Sequence, residues 1–244
     1  MIQENRIIRS PMKLITPLLL IAFFAITLIA QAKPTTAADY DGTIRYAVNE
    51  TNGAFPFIFT VVTETFKGGK LVSTETDVNE RQAAGVARET KTLKKDGQTF
   101  RSHSIMVGFN EGTYCSTDGA TWEGPQEFVC PGPDGSNLLR LSRPRKPESV
   151  EYSVSEKSLD GKMVKVYRKY AIFAGTGPNG TKSFEEEIAI IDSRGFFISV
   201  VDTEGTLDPQ IITLNRTQTW DFETKFKPVV APKEIEFKPV VTPK

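Results

Sequence analysis

The sequence predicts a mainly β protein built on one strongly curved antiparallel sheet, a half-barrel of about 9–11 strands with one or two short helices. Three observations predict it. Turn dipeptides that tolerate positive φ recur along the chain at Gly68-Gly69, Asp96-Gly97, Asp118-Gly119, Asp160-Gly161 and Asn179-Gly180, with looser turns at Arg194-Gly195 and Glu204-Gly205. The runs between them are rich in Val, Ile, Thr, Phe and Tyr, the residues that pack well on a pleated surface. Few windows carry apolar residues at three- and four-residue spacing without an early Gly or Pro. So many strands with so little helix bury a core only if the sheet curls on itself.

The chain opens with Arg6, Arg9 and Lys13, runs uncharged from Leu14 to Ala30, and reaches Ala30-Gln31-Ala32 before Lys33. This is the n-region, h-region and small-residue exit of a secretory signal. A membrane anchor is the competing reading, since such a run lies at the lower edge of what spans a bilayer. Pro17 and the A-x-A exit favour cleavage after Ala32, with translation starting at Met1 or Met12. The expected product is periplasmic or secreted and keeps no stable membrane span. Removing the leader's three basic residues and one acidic residue from the 30 of each in the chain leaves 27 against 29. Near-neutrality excludes recruitment by a whole-molecule field and argues against nucleic acid as a partner. Cys115 and Cys130 are the only cysteines, and in an oxidising compartment they are expected to form a disulfide.

Residues 33–225 are expected to form the sheet domain. A helix is predicted over Tyr40 to Glu50, where Ile44, Ala47 and Val48 share a face and Asp41 is a candidate cap, with a weaker one over Val78 to Ala84. Strands are predicted over Phe57–Phe66, Lys70–Thr76, Ala87–Lys94, Thr99–Phe109, Met163–Phe173, Phe184–Ile191, Phe196–Val201 and Ile211–Phe222. Five prolines between 123 and 149 predict a long loop pinned by Cys130. From Phe226 the octet Phe-Lys-Pro-Val-Val-Ala-Pro-Lys recurs as Phe237–Lys244 with only Ala231 changed to Thr242, so residues 226–244 are expected to be an extended, Pro-rich tail.

Sites of catalysis are thinly signalled. Gly175 to Ser183 satisfies G-x-G-x-x-G, but the next residues, Phe184-Glu185-Glu186-Glu187-Ile188, read as a strand where a phosphate motif needs a helix. His103 is the only histidine, on the strand face of Ile105, Val107 and Phe109 and opposite Ser102 and Ser104, so no local nucleophile–base pair forms. One His and two bridged Cys leave a transition metal without ligands. Glu185 and Glu187 read as a solvated face, with Glu186 on the other. Arg140, Arg143, Arg145 and Lys146 form the one basic cluster, read as a solvated linker. The expectation is a non-catalytic chain with no cofactor and no metal.

Several segments resemble a known superfamily. Arg88-Glu89-Thr90, then Thr99-Phe100-Arg101-Ser102 through Val107, Gly112-Thr113-Tyr114 and Asp118-Gly119-Ala120-Thr121-Trp122 are similar to a run found in lipoprotein-carrier-like domains. Leu159 through Tyr167, Ile190 through Phe196 and Thr219-Trp220-Asp221-Phe222 resemble their later strands. The resemblance is to the LolA/LolB-like superfamily and covers roughly residues 40–225. It implies a half-open barrel of about eleven strands, lidded by helices, that shelters acyl chains in an apolar hollow. The long lid helices of the carriers have no counterpart here. The expected function is binding or carrying a lipid-like apolar ligand in a concave sheet cavity. Its candidate lining is Phe57, Phe59, Ile105, Val107, Phe109, Val164, Val166, Ile188, Ile190 and Trp220. The alternative is an envelope scaffold or sensor module that binds a protein partner, possibly through the repeated tail.

Overall fold

The computed structural model describes residues 32–108, 112–126, 130–134, 145–175 and 180–232. Residues 1–31 of the leader, Phe109, Arg140, Arg143 and the second octet lie outside them. One helix and twelve strands are assigned: β1 (Lys33–Pro34), α1 (Ala37–Gly53), β2 (Phe57–Lys67), β3 (Lys70–Ala83), β4 (Val86–Lys95), β5 (Gln98–Met106), β6 (Thr113–Ser116), β7 (Glu123–Gln126), β8 (Ser149–Leu159), β9 (Lys162–Phe173), β10 (Ser183–Ile191), β11 (Phe197–Leu207) and β12 (Gln210–Asp221).

All twelve strands join one curved antiparallel sheet in the order β1-β8-β9-β10-β11-β12-β2-β3-β4-β5-β6-β7, which does not close into a barrel. The chain starts at one edge with β1, passes through α1 to β2 in the middle, meanders from there out to β7 at the opposite edge, resumes at β8 beside β1, and meanders back until β12 pairs with β2. Tight turns drive each meander. Asp96-Gly97 and Asp160-Gly161 both place a non-glycine residue at φ near 50° followed by Gly at 74° and 77°, the pairing of positive angles that a two-residue hairpin demands. Bulges between Thr65 and Phe66, Arg81 and Ala83, Ile190 and Ile191, and Glu204 and Gly205 bend the strands locally.

Eight of the strands match predicted runs, and the differences lie elsewhere. Val78–Ala84 is not helical: pairing with β2 and β4 on both sides holds residues through Ala83 in β3. Glu204-Gly205 is a bulge inside β11 and not a turn, and the chain reverses at Asp208-Pro209 instead. Within the Pro-rich stretch, Glu123–Gln126 forms the short edge strand β7, a position where Pro125 costs no central ladder bond. β1, β6 and β8 are not among the predicted strands.

Helix α1 is longer than the sequence suggested and is capped by Thr36 rather than Asp41. Thr36 Oγ1 accepts from the Asp39 amide at 3.1 Å, and Asp39 puts a negative charge in the first turn. The helix buries Tyr40, Ala47 and Thr51 against Tyr167, Ala189, Ile191, Phe197 and Val200. Ala47 and Ala189 are both fully buried, and residues this small let the helix sit close to the sheet.

Candidate functional site

Directly paired residues of antiparallel strands point to the same side of a sheet, so the register divides the side chains into a helix-bearing face and a far face. Phe59 pairs with Trp220 and Asn79, and Val61 with Gln218 and Asp77, which places all six on the helix-bearing face. Phe57 joins them two residues along. Ile188 pairs with Arg168 and Val201, and Ile190 with Val166 and Ser199, which places these on the far face with Val164. Ile105 is on the far face too, through the ladder from Thr60 and Val78 to Thr90 and His103.

The ten candidate lining residues therefore do not share one surface. Phe57, Phe59 and Trp220 lie on the helix-bearing face. Ile105, Val164, Val166, Ile188 and Ile190 lie on the other. Val107 is half-buried just beyond β5. The single-surface expectation fails because each strand's own alternation is visible in sequence while the phase between strands is set by the register.

On the helix-bearing face the aromatic residues are in mutual contact. Phe59 packs against Trp220 at 4.8 Å between centroids, Trp220 against Phe197 at 5.1 Å, and Phe57 against Phe222 at 5.6 Å and Phe55 at 5.4 Å. Arg81 lies within 5.9 Å of both the Phe57 and Phe59 rings. Phe57 is fully buried, whereas Phe59 and Trp220 are half-buried and keep part of their rings open.

Beyond Phe59 and Val61 the same face turns polar. Asp77 and Asn79 on β3 pair with Lys91 and Glu89 on β4, which pair in turn with Ser102 and Ser104 on β5. Lys91 Nζ lies 3.4 Å from Glu89 and 4.0 Å from Asp77, and Ser104 donates to Glu89 at 3.1 Å. Asp77 Oδ1 and Asn79 Oδ1 are shielded from solvent and have no hydrogen-bond partner. Burial, followed by the negative charge of Glu89, pushes the Asp77 carboxyl up to about 7, so it holds a proton well above the ordinary carboxylate range. Sequence reasoning missed this cluster, although the period-2 run Glu75, Asp77, Asn79 on one face of a strand was a visible signal.

Other polar groups of this face are paired. Tyr40, on the buried side of α1, donates from its hydroxyl to Glu187 at 2.5 Å, and burial followed by that carboxylate raises its pKa. Glu187 is thus tied to the core and is not the solvated residue its sequence suggested. Its companion Glu185 pairs with Arg145, whose guanidinium stacks on Phe173 at 4.6 Å. Arg216 and Gln218 both reach Asp202. On the far face, Glu186 pairs with Arg168 at 2.6 Å, and His103 Nδ1 meets the Thr90 hydroxyl at 3.1 Å. Among the described residues no three His, Cys, Asp or Glu side chains are grouped to hold a metal ion.

Cys115 and Cys130 form a disulfide with Cα atoms 5.6 Å apart. Such a bond fits an extracytoplasmic protein. Among the described residues no helix is long and apolar enough to cross a membrane.

Comparison with known protein families and with curated proteins returns no match. Among solved structures the chain is similar to LprF from Mycobacterium bovis at 12% sequence identity and a TM-score of 0.42, over 82% of this chain and 98% of that one. At that distance the likeness fixes neither family nor function.

Proposed function

We propose that residues 33–225 are a non-catalytic, exported binding domain that takes a lipid-like amphiphile on the helix-bearing face, where its aromatic half meets its polar half. One observation carries the reading. The half-open Phe59–Trp220 pair and Val61 adjoin Asp77 and Asn79, two shielded acceptors without partners. An apolar chain lying along the rings would gain about 0.8 kcal/mol per methylene removed from water. A hydroxyl or ammonium on its head would satisfy acceptors that otherwise cost about 1–3 kcal/mol each. The lining is then Phe59, Val61 and Trp220, with Phe57 as the buried support behind them. Ile105, Val164, Val166, Ile188 and Ile190 serve the other side of the sheet.

Trp220 reports on this site directly once Trp122, the other tryptophan, is replaced in a Trp122→Phe chain. Phospholipid brominated in its acyl chains is expected to quench Trp220 saturably, and Val61→Asp to weaken that binding by at least about tenfold, the change in affinity that corresponds to about 1.4 kcal/mol. Quenching that is absent, or that survives Val61→Asp unchanged, would remove the site.

A further inference from the structure

The first copy of the repeated octet is docked on its own domain. Val229 is 5% exposed, its amide donates to Gln82 Oε1 at 2.8 Å, and the Pro228 carbonyl accepts from Arg88 Nη2 at 3.3 Å. Arg88 is itself held by Glu80 through its other terminal nitrogen at 2.7 Å. The end of the β3–β4 hairpin thus holds two main-chain groups of the octet, and the Val229 side chain between them is buried. The neighbouring Val230 points away and is 59% exposed, and Ala231 is exposed as well.

The second octet repeats every feature that is read. Pro239 and Val240 stand where Pro228 and Val229 stand, and the one position that differs, Ala231 against Thr242, is on the exposed side. Val229 lies eight residues beyond the end of β12 at Asp221, and Val240 lies nineteen beyond it. Nineteen residues span any gap that eight span. Two segments with the same docking residues on one tether therefore face one site.

We propose that the notch formed by Gln82 and Arg88 is a receptor for the Phe-Lys-Pro-Val-Val octet, and that the second octet of the same chain is its alternative occupant. The two exchange, so one octet is always docked and the other is presented to solvent. A short extended segment with two prolines loses little entropy when captured. The presented octet is thus available to a partner carrying a similar notch: an apolar socket for one valine, a side-chain carbonyl acceptor for its amide, and a guanidinium for the preceding carbonyl. Loop closure alone favours the nearer octet by roughly fourfold, from the 3/2 power of the tether ratio. This inference does not rest on the ligand reading.

The test uses the full exported chain with a benzophenone photo-crosslinker attached at Ala84→Cys, beside Gln82 in the β3–β4 turn. Adducts are mapped by mass spectrometry. Irradiation is expected to mark both octets, the first about four times as often as the second. Val229→Asp is expected to move the adducts to residues 237–244, Val240→Asp to confine them to the first octet, and the double variant to abolish them. Circular dichroism and urea midpoints confirm that each variant folds. Loss of all adducts in Val229→Asp would overturn the proposal. Second-octet adducts found only between two chains would overturn it as well, making a second copy of the protein the occupant.

Discussion

The two halves of the helix-bearing face differ in what they bury. Under α1, strands β9–β12 present Tyr167, Ala189, Ile191, Phe197 and Val200, with Trp220 against them, and the helix supplies the matching surface through Tyr40, Ile44 and Ala47; Phe57 on β2 packs beside this cluster with Phe55 and Phe222. On β3–β5 the same face presents Asp77, Asn79, Glu89, Lys91 and Ser104, which satisfy one another only in part. The aromatic half is a core, and its residues are fixed by packing. The polar half keeps unfilled hydrogen-bonding capacity, which a stable core avoids and a binding surface uses. On the proposed ligand reading, stability and recognition divide along a boundary near Phe59 and Val61.

The sharpest way to break this division is to empty the aromatic half. Phe57→Ala removes a fully buried ring that touches Phe55 and Phe222. It is expected to cost about 3–5 kcal/mol in urea unfolding, the usual range for a buried Phe cut to Ala. Lys91→Ala in the polar half is expected to cost less, because its ion pairs to Glu89 and Asp77 are long, at 3.4 and 4.0 Å, and the side chains still keep about a quarter of their surface in water. Comparable losses from the two would show that the polar half is structural too.

Next in size is the joint between helix and sheet. Thr51 is 1% exposed near the end of α1, and its hydroxyl accepts from the Phe197 amide at 3.0 Å, where β11 begins beside a bulge. Thr51→Val keeps the shape and removes the acceptor. Leaving that buried amide unpaired is expected to cost about 1–3 kcal/mol, with Thr51→Ser retaining most of it. Equal losses for Val and Ser would assign the effect to packing.

How much of this was legible depends on whether a feature is local. The hairpin turns could be read from Asp96-Gly97 and Asp160-Gly161 because the left-handed conformation they need is a property of those residues alone. α1 could be read from Ile44 and Ala47, though its cap needed the Thr36–Asp39 contact. β8 was legible and was overlooked: Val150, Tyr152 and Val154 alternate with Ser and Glu, the period-2 pattern of a half-buried strand, but the segment follows directly on the Pro-rich stretch read as loop. The candidate lining failed for a related reason. Phe59 and Ile188 each sit in a plausible apolar alternation, and only the register through β11 and β12 reveals that they face opposite ways. Asp77 illustrates the same limit from the polar side, since its raised pKa depends on Glu89, a residue of the next strand.

That raised pKa supplies the finest test of the contrast. In the unfolded chain Asp77 loses its proton near 3.8, whereas in the folded protein burial and Glu89 hold it to about 7. Between those values the folded state binds a proton that the unfolded state has released, so this site's stabilising contribution is full below about pH 4, falls as pH rises, and levels off above about 7. Asn does not titrate. Asp77→Asn is therefore expected to gain stability relative to the parent progressively from pH 4 to 7, with a constant difference beyond, measured as urea midpoints across that range. The effect is the smallest of the three because water reaches part of the cluster and Lys91 opposes the shift. Parallel pH profiles for the two proteins would mean that Asp77 ionises normally, and the polar half would then lose its claim to be desolvated.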